Sequence, residues 1–234
     1  ILGQHVYPQL PAGHVGVREG AYMAAADEIH LTVRGQGGHA ALPHLCKDAV
    51  LASSAIIVAA QQAISRMCPP GVASVLSFGR VEALGATNVL PHSVAIQGTF
   101  RSMDETWRQR AHDLITTLVH STAQAHGCVA DLDIRHGYPH VHNDVHLAAE
   151  FKQAAIAYLG ADCVHDLDIR MTAEDFSYFA NEIPGCFYRL GTASPEKGND
   201  LGTHGLHTPT FDVEENALKI GAGLMAYAAA TVGR

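Results

Sequence analysis

The chain has 234 residues, 47% of them hydrophobic, enough to bury a core in one large or two modest domains. Its 15 Lys and Arg against 23 Asp and Glu give a formal net charge of −8 with no basic cluster, which argues against a nucleic-acid binder. The five cysteines, at 46, 68, 128, 163 and 186, are widely spaced with no CxxC, and read as reduced, mostly buried thiols of a cytosolic protein. The longest apolar run, residues 49–65, is broken by Ser53, Ser54, Gln61 and Gln62 and fits a buried helix better than a membrane span. The chain opens on Ile1 in what reads as mid-strand, so targeting information upstream is outside its reach.

In chain order, Ile1-Leu2-Gly3-Gln4-His5-Val6-Tyr7-Pro8 is a short strand running into a proline-punctuated loop, with His5 at its end, where ligands collect in α/β sheets. Residues 28–34 alternate Ile29, Leu31 and Val33 with polar neighbours, a half-buried strand. The glycine-rich loop Gly35-Gln36-Gly37-Gly38-His39-Ala40-Ala41-Leu42-Pro43-His44 follows. Its glycines allow a sharp turn and close backbone approach, and it offers His39 from a loop; taken alone, such a pattern is an ordinary turn. Residues 48–66 read as a helix, 73–81 as a strand, Gly85-Ala86-Thr87-Asn88 as a turn ending at Pro91, and 94–101 as a strand ending on Arg101. Asp104 caps a helix whose Trp107, Ala111, Leu114, Ile115 and Leu118 form one stripe, closed by Gly127, and Ala130, Leu132 and Ile134 alternate in a last strand.

That order, β-α-β-β-α-β, predicts a ferredoxin-like sandwich over residues 24–136. Residues 137–234 alternate differently: a helix from Asp144 to Gly160, a strand over 164–169, a helix over 173–181, a strand over 186–190 and a long helix from Val213. With residues 1–23 they predict one discontinuous α/β domain into which the sandwich is inserted.

Sixteen histidines invite a metal reading, yet no HExxH or Cys/His finger spacing supports one. His112, His120 and His126 fall on the polar side of the second helix and are expected at the surface. His140 and His142 read as a solvated loop pair. His5 and His207, the latter in Thr203-His204-Gly205-Leu206-His207-Thr208-Pro209, stand out by context; each is otherwise an ordinary loop histidine.

Six segments then occur in order over nearly the whole chain: Gln4-His5-Val6-Tyr7-Pro8 with Leu10-Pro11-Ala12-Gly13; Gly37-Gly38-His39-Ala40-Ala41-Leu42-Pro43-His44; Asn88-Val89-Leu90-Pro91; Gly98-Thr99-Phe100-Arg101; Ala173-Glu174-Asp175-Phe176; and Leu206-His207-Thr208-Pro209. Together they resemble the metal-dependent aminoacylase/carboxypeptidase superfamily, in its hippurate hydrolase and auxin-conjugate hydrolase branch. The resemblance implies a metallopeptidase-like α/β catalytic domain in two segments, 1–23 and 137–234, around a lid and dimerisation domain at 24–136. It implies two divalent ions, zinc or manganese, with His5 and His207 as ligands whose imidazoles face a common point.

The family's other ligands and its general-base Glu lie upstream, and no Glu-Glu-Gly-Gly occurs here, so the chain resembles the C-terminal portion of such an enzyme. Glu214-Glu215 are expected to serve the N-terminal dipole of the last helix. By the same resemblance His39 stabilises an oxyanion, often in the partner subunit's site, and Asn88 donates to the same or a neighbouring carbonyl. Arg101 holds a substrate carboxylate; its alternative is a strand-end surface charge. Glu174 and Asp175 either cap the helix after them or orient a metal-binding histidine. The implied reaction is hydrolysis of an N-acyl amino acid by a metal-activated water, in a cytoplasmic homodimer without nucleic-acid or membrane partners. The alternatives are a related exopeptidase or dipeptidase, or a non-catalytic dimerisation fragment.

Overall fold

The computed structural model of the chain describes residues 1–194 and 205–233. They form two compact units, one of Ile1–Met23, Val141–Arg170 and Glu174–Arg234, the other of Ala24–His140 with Met171–Ala173. The first unit opens with strands β1 (Leu2–Pro11), β2 (Val15–Val17) and β3 (Gly20–Met23). The second contains β4 (Ala25–Arg34), β5 (Gly38–His39), α1 (Ala49–Ala60), β6 (Ser74–Ala83), β7 (Val89–Leu90), β8 (Ser93–Ser102), α2 (Glu105–Ala125) and β9 (Val129–His136). The chain then completes the first unit with β10 (Val141–Asn143), α3 (Val145–Leu159), β11 (Val164–Asp166), α4 (Ser177–Ala180), β12 (Cys186–Ala193) and α5 (Glu215–Thr231).

The first unit is built on a mixed sheet of order β1-β12-β2-β11, with β1 parallel to β12, β11 parallel to β2, and β12 antiparallel to β2. Helices α3 and α5 bury Ala148, Phe151, Ala155, Ala217, Leu224 and Ala228 against Val15, Val17, Tyr188 and Leu190 of the sheet. A second cluster gathers Tyr22, Met23, Val141, Phe176 and Phe187. Helix α3 starts where the Asp144 carboxylate accepts a 2.8 Å hydrogen bond from the Leu147 amide, and stops at Gly160, whose φ of +93° a Cβ-bearing residue rarely adopts.

Three expectations for this unit are corrected. His5 stands within β1, paired across to Arg189, because the strand continues through an irregularity to Pro11. The strand expected over 164–169 ends at Asp166, since its partner β2 ends at Val17. The helix expected over 173–181 shrinks to Ser177–Ala180: the Ser177 and Tyr178 amides reach back only three residues, to the Glu174 and Asp175 carbonyls.

The second unit is an antiparallel sheet of order β6-β8-β4-β9 with α1 and α2 on one face. Ile29, Leu31 and Val33 of β4 and Ile96 and Phe100 of β8 meet Ile56 of α1 and Trp107, Ile115 and Val119 of α2. Asp48 caps α1, its carboxylate accepting from the Val50 and Leu51 amides at 2.9 and 3.0 Å. Residues Ala49–Met67, which include a π-helical last turn, are long and apolar enough to cross a membrane by length and composition alone. Ala49, Ala52, Ile56 and Ala60 of this stretch pack into the unit's core, as a core helix does, whereas Leu51 (58% exposed) and Val58 (72%) face outward.

His112 is not a surface residue; it is buried, and its Nε2 bonds Asp27 Oδ2 at 2.7 Å. The Asp27 carboxylate also accepts from Arg108 through Nε (2.9 Å) and Nη2, and from the Gly137 amide at 3.1 Å. Arg108 and His140 converge in turn on Glu105. Burial pushes both carboxyls up, but these donors outweigh it, holding Asp27 far below the usual carboxylate range and Glu105 at about 2. Both groups are depressed, so their contribution to stability is fully present above the unfolded carboxylate range. It is lost as pH falls from that range through their lower folded values.

Asp27→Asn is therefore expected to cost about 3–5 kcal/mol near neutral pH, because it removes the buried carboxylate that Arg108 and His112 share and leaves Arg108 only the more exposed Glu105. The deficit should shrink on acidification. Urea unfolding followed by Trp107, the only tryptophan and buried in this unit, measures it.

Candidate metal and substrate sites

Within the first unit, His5 is half-buried on β1. Its Nδ1 lies 2.7 Å from the Val6 carbonyl oxygen, which can only accept, so Nδ1 carries the proton and Nε2 presents a lone pair. Burial lowers the His5 pKa, the Val6 carbonyl opposes this, and the charges of Arg189, His207 and Arg170 lower it further. A neutral imidazole with one nitrogen fixed by a backbone carbonyl is the form that ligates zinc or manganese. His207 is therefore within electrostatic range of His5. It is the one non-glycine among the described residues with positive φ (+62°), a backbone state that concentrates at ligand-binding positions.

Among the described residues the donor set for a metal is incomplete. Among the described residues no group of three or more His, Cys, Asp and Glu is placed to hold an ion. Glu174 is raised by burial and by its hydrogen bond to Asp175, with Arg189 opposing. No side chain caps α4, so neither Glu174 nor Asp175 is the cap of the helix that follows them. Residues 203 and 204 of the His207 loop lie outside the described residues.

Within the second unit, His39 and Asn88 are brought together. Strand β5 pairs with β7 in the register Gly38 to Leu90 and His39 to Val89, and the Ala40 amide donates to the Asn88 carbonyl at 3.0 Å. Glycine is required for this approach: a Cβ on Gly37 would stand 2.4 Å from the Leu90 oxygen. His39 is exposed, and its Nδ1 accepts from the Ala41 amide at 3.1 Å. Its neutral form therefore carries hydrogen on Nε2. His5 offers a lone pair at Nε2 and His39 a proton; sequence alone assigns neither.

Arg101 is the penultimate residue of β8, on the sheet face opposite the helices, flanked across the ladders by Ala26 and Val75. It lines a cavity of about 780 Å³ together with Glu28, Thr99, His136 and Tyr138. Burial pulls its pKa down and Asp27 pulls it back up; a guanidinium stays charged regardless. Its Nε donates to Thr99 Oγ1 at 3.0 Å. The residue is thus half-buried in a concave wall.

Residues 1–231 match the model of peptidase family M20/M25/M40, and the chain belongs to that family. It is 33% identical to an N-acetyldiaminopimelate deacetylase of Exiguobacterium sibiricum, over 93% of this chain and 56% of the relative. It is 32% identical to the IAA-amino acid hydrolase ILR1-like 2 of Arabidopsis thaliana, over 97% of this chain and 51% of the relative. Among solved structures it resembles a Bacillus subtilis protein described as a dinuclear metal binding peptidase of the M20 family, with a TM-score of 0.73, 28% identity, and coverage of 98% of this chain and 56% of that one. The chain therefore spans about half the length of these relatives.

Proposed function

We propose that this chain is the portion of a metal-dependent amidohydrolase that supplies the ligands His5 and His207, and that the enzyme cleaves the amide bond of N-acyl amino acids, hippurate-like or related conjugates. The observation that carries the reading is the opposite proton placement on two histidines, a free lone pair on His5 Nε2 and a donor on His39 Nε2. Two divalent ions, zinc or manganese, would polarise the scissile carbonyl and acidify a water. The remaining ligands and the general base belong, on this reading, to the stretch of the relatives that this chain does not span. His39 Nε2–H and the Asn88 amide donate to oxygen as charge develops on it, and Arg101 grips the substrate carboxylate.

Residues 24–136 act as lid and dimerisation domain in this proposal. Two features support association there: the outward Leu51 and Val58 of α1, and edge strands β6 and β9, which are each paired on one side. The net charge of −8 and the lack of a basic cluster favour a small-molecule substrate over a nucleic acid.

The test is amine release by the full-length enzyme from N-benzoylglycine, N-acetyldiaminopimelate, an indoleacetyl amino acid and a free dipeptide, with zinc and with manganese. N-acyl substrates should be cleaved fastest, and cleavage of the dipeptide alone would favour the exopeptidase reading instead. Arg101→Lys is expected to raise KM roughly 10–100-fold for substrates with a free carboxylate, the worth of a charge-assisted pair. Their carboxamides should change little, and equal losses for both would remove Arg101 from this role.

A further inference from the structure

We infer that Thr99 is a positioning residue for Arg101, fixing the guanidinium plane so that its two terminal amino groups face the cavity as a carboxylate fork. The inference rests on the substrate role proposed for Arg101. The Thr99 hydroxyl donates to the Asp27 backbone oxygen at 3.0 Å. With its hydrogen committed there, a lone pair of the same oxygen accepts from Arg101 Nε at 3.0 Å.

Because a guanidinium is planar, fixing the direction of Nε–H fixes where both terminal groups point. Among the described residues neither terminal group of Arg101 has a hydrogen-bond partner, so both remain available to a ligand. The neighbours of Arg101 across the ladders, Ala26 and Val75, carry no polar side-chain group to compete for it. The anchor is itself rigid. Glu28 pairs with Thr99 across the β4–β8 ladder, and the adjacent Asp27 is held by Arg108, His112 and Gly137. An arginine has many rotamers, and ordering one side chain before binding removes an entropic cost from association.

The experiment compares Thr99→Val and Thr99→Ser in the full-length enzyme, using the fastest substrate of the panel above and its carboxamide. Thr99→Val keeps the shape and removes both hydrogen bonds. It should raise KM for the acid about tenfold, the loss of one hydrogen bond to a charged group, with kcat and the carboxamide little changed. Thr99→Ser restores the hydroxyl and should stay within about twofold of wild type by the same count.

Equal effects of Thr99→Val on acid and carboxamide, or a serine variant as impaired as the valine one, would overturn the inference. Unfolding followed by Trp107 separates any loss of fold. If Arg101→Lys itself fails to discriminate acid from carboxamide, the Arg101 reading fails and this inference with it. If Arg101→Lys discriminates and Thr99→Val does not, only the positioning role is lost.

Discussion

His5→Ala in the full-length enzyme is expected to abolish tight metal binding at one position and to take activity with it. Loss of a mere partner of a ligating histidine costs roughly 10–100-fold in metal affinity or activity. Loss of the ligand itself should exceed that. The ring is half-buried and, among the described residues, hydrogen-bonded only to the adjacent Val6 carbonyl, so its removal leaves β1 paired to β12 and the fold intact. His207→Ala should match it, since the two are the proposed ligands from the two arms of the first unit. His120→Ala, an exposed position on α2, is the control and should retain full metal content after dialysis. Unchanged metal content in both His5→Ala and His207→Ala would remove these residues from the metal site.

The second large effect is that of His39→Ala, expected to lower kcat about 10²–10³-fold, as loss of one oxyanion donor does. KM should move little, because the contact forms as charge develops and contributes little in the ground state. Stability should be unaffected: the ring is exposed, and the Ala41 amide it leaves can be hydrated. If the donor serves a second copy of the chain, mixing His39→Ala with His5→Ala subunits should restore part of the activity through hybrid dimers that hold one intact site. An active monomer at micromolar concentration, or a mixture as inactive as its components, would contradict the shared arrangement.

The two helices and four strands of the β-α-β-β-α-β unit are legible because their periods are clean: residues 29, 31 and 33 alternate, and Trp107, Ala111, Ile115 and Val119 recur at helical spacing. The Asp27 network escapes that reading although it leaves a signal in the residue pattern. Asp27 is in phase with Ile29, Leu31 and Val33, while Arg108 and His112 are in phase with Ile115 and Val119, so one acid and two bases point into the same core. A polar residue on the buried phase of a strand, matched by opposite charge on the buried stripe of a helix, is the mark of such a pair.

The candidate site is legible as residue types and motif order, since histidine, asparagine and arginine carry their chemistry wherever they stand. Their geometry is not. The two-residue pairing of β5 with β7 is too short for any period, and it brings His39 beside the Asn88 loop only because Gly37 lets backbones meet. The proton positions on His5 and His39 depend on single backbone groups, the Val6 carbonyl and the Ala41 amide. No residue pattern encodes those contacts.

The central claim, that this chain contributes two imidazole ligands to a divalent metal centre, is tested most directly by anomalous diffraction from crystals of the zinc-loaded full-length enzyme. The account predicts metal peaks within about 2.0–2.1 Å of His5 Nε2 and of a His207 ring nitrogen. Zinc bound elsewhere, with His5 Nε2 and His207 both free of it, would contradict it.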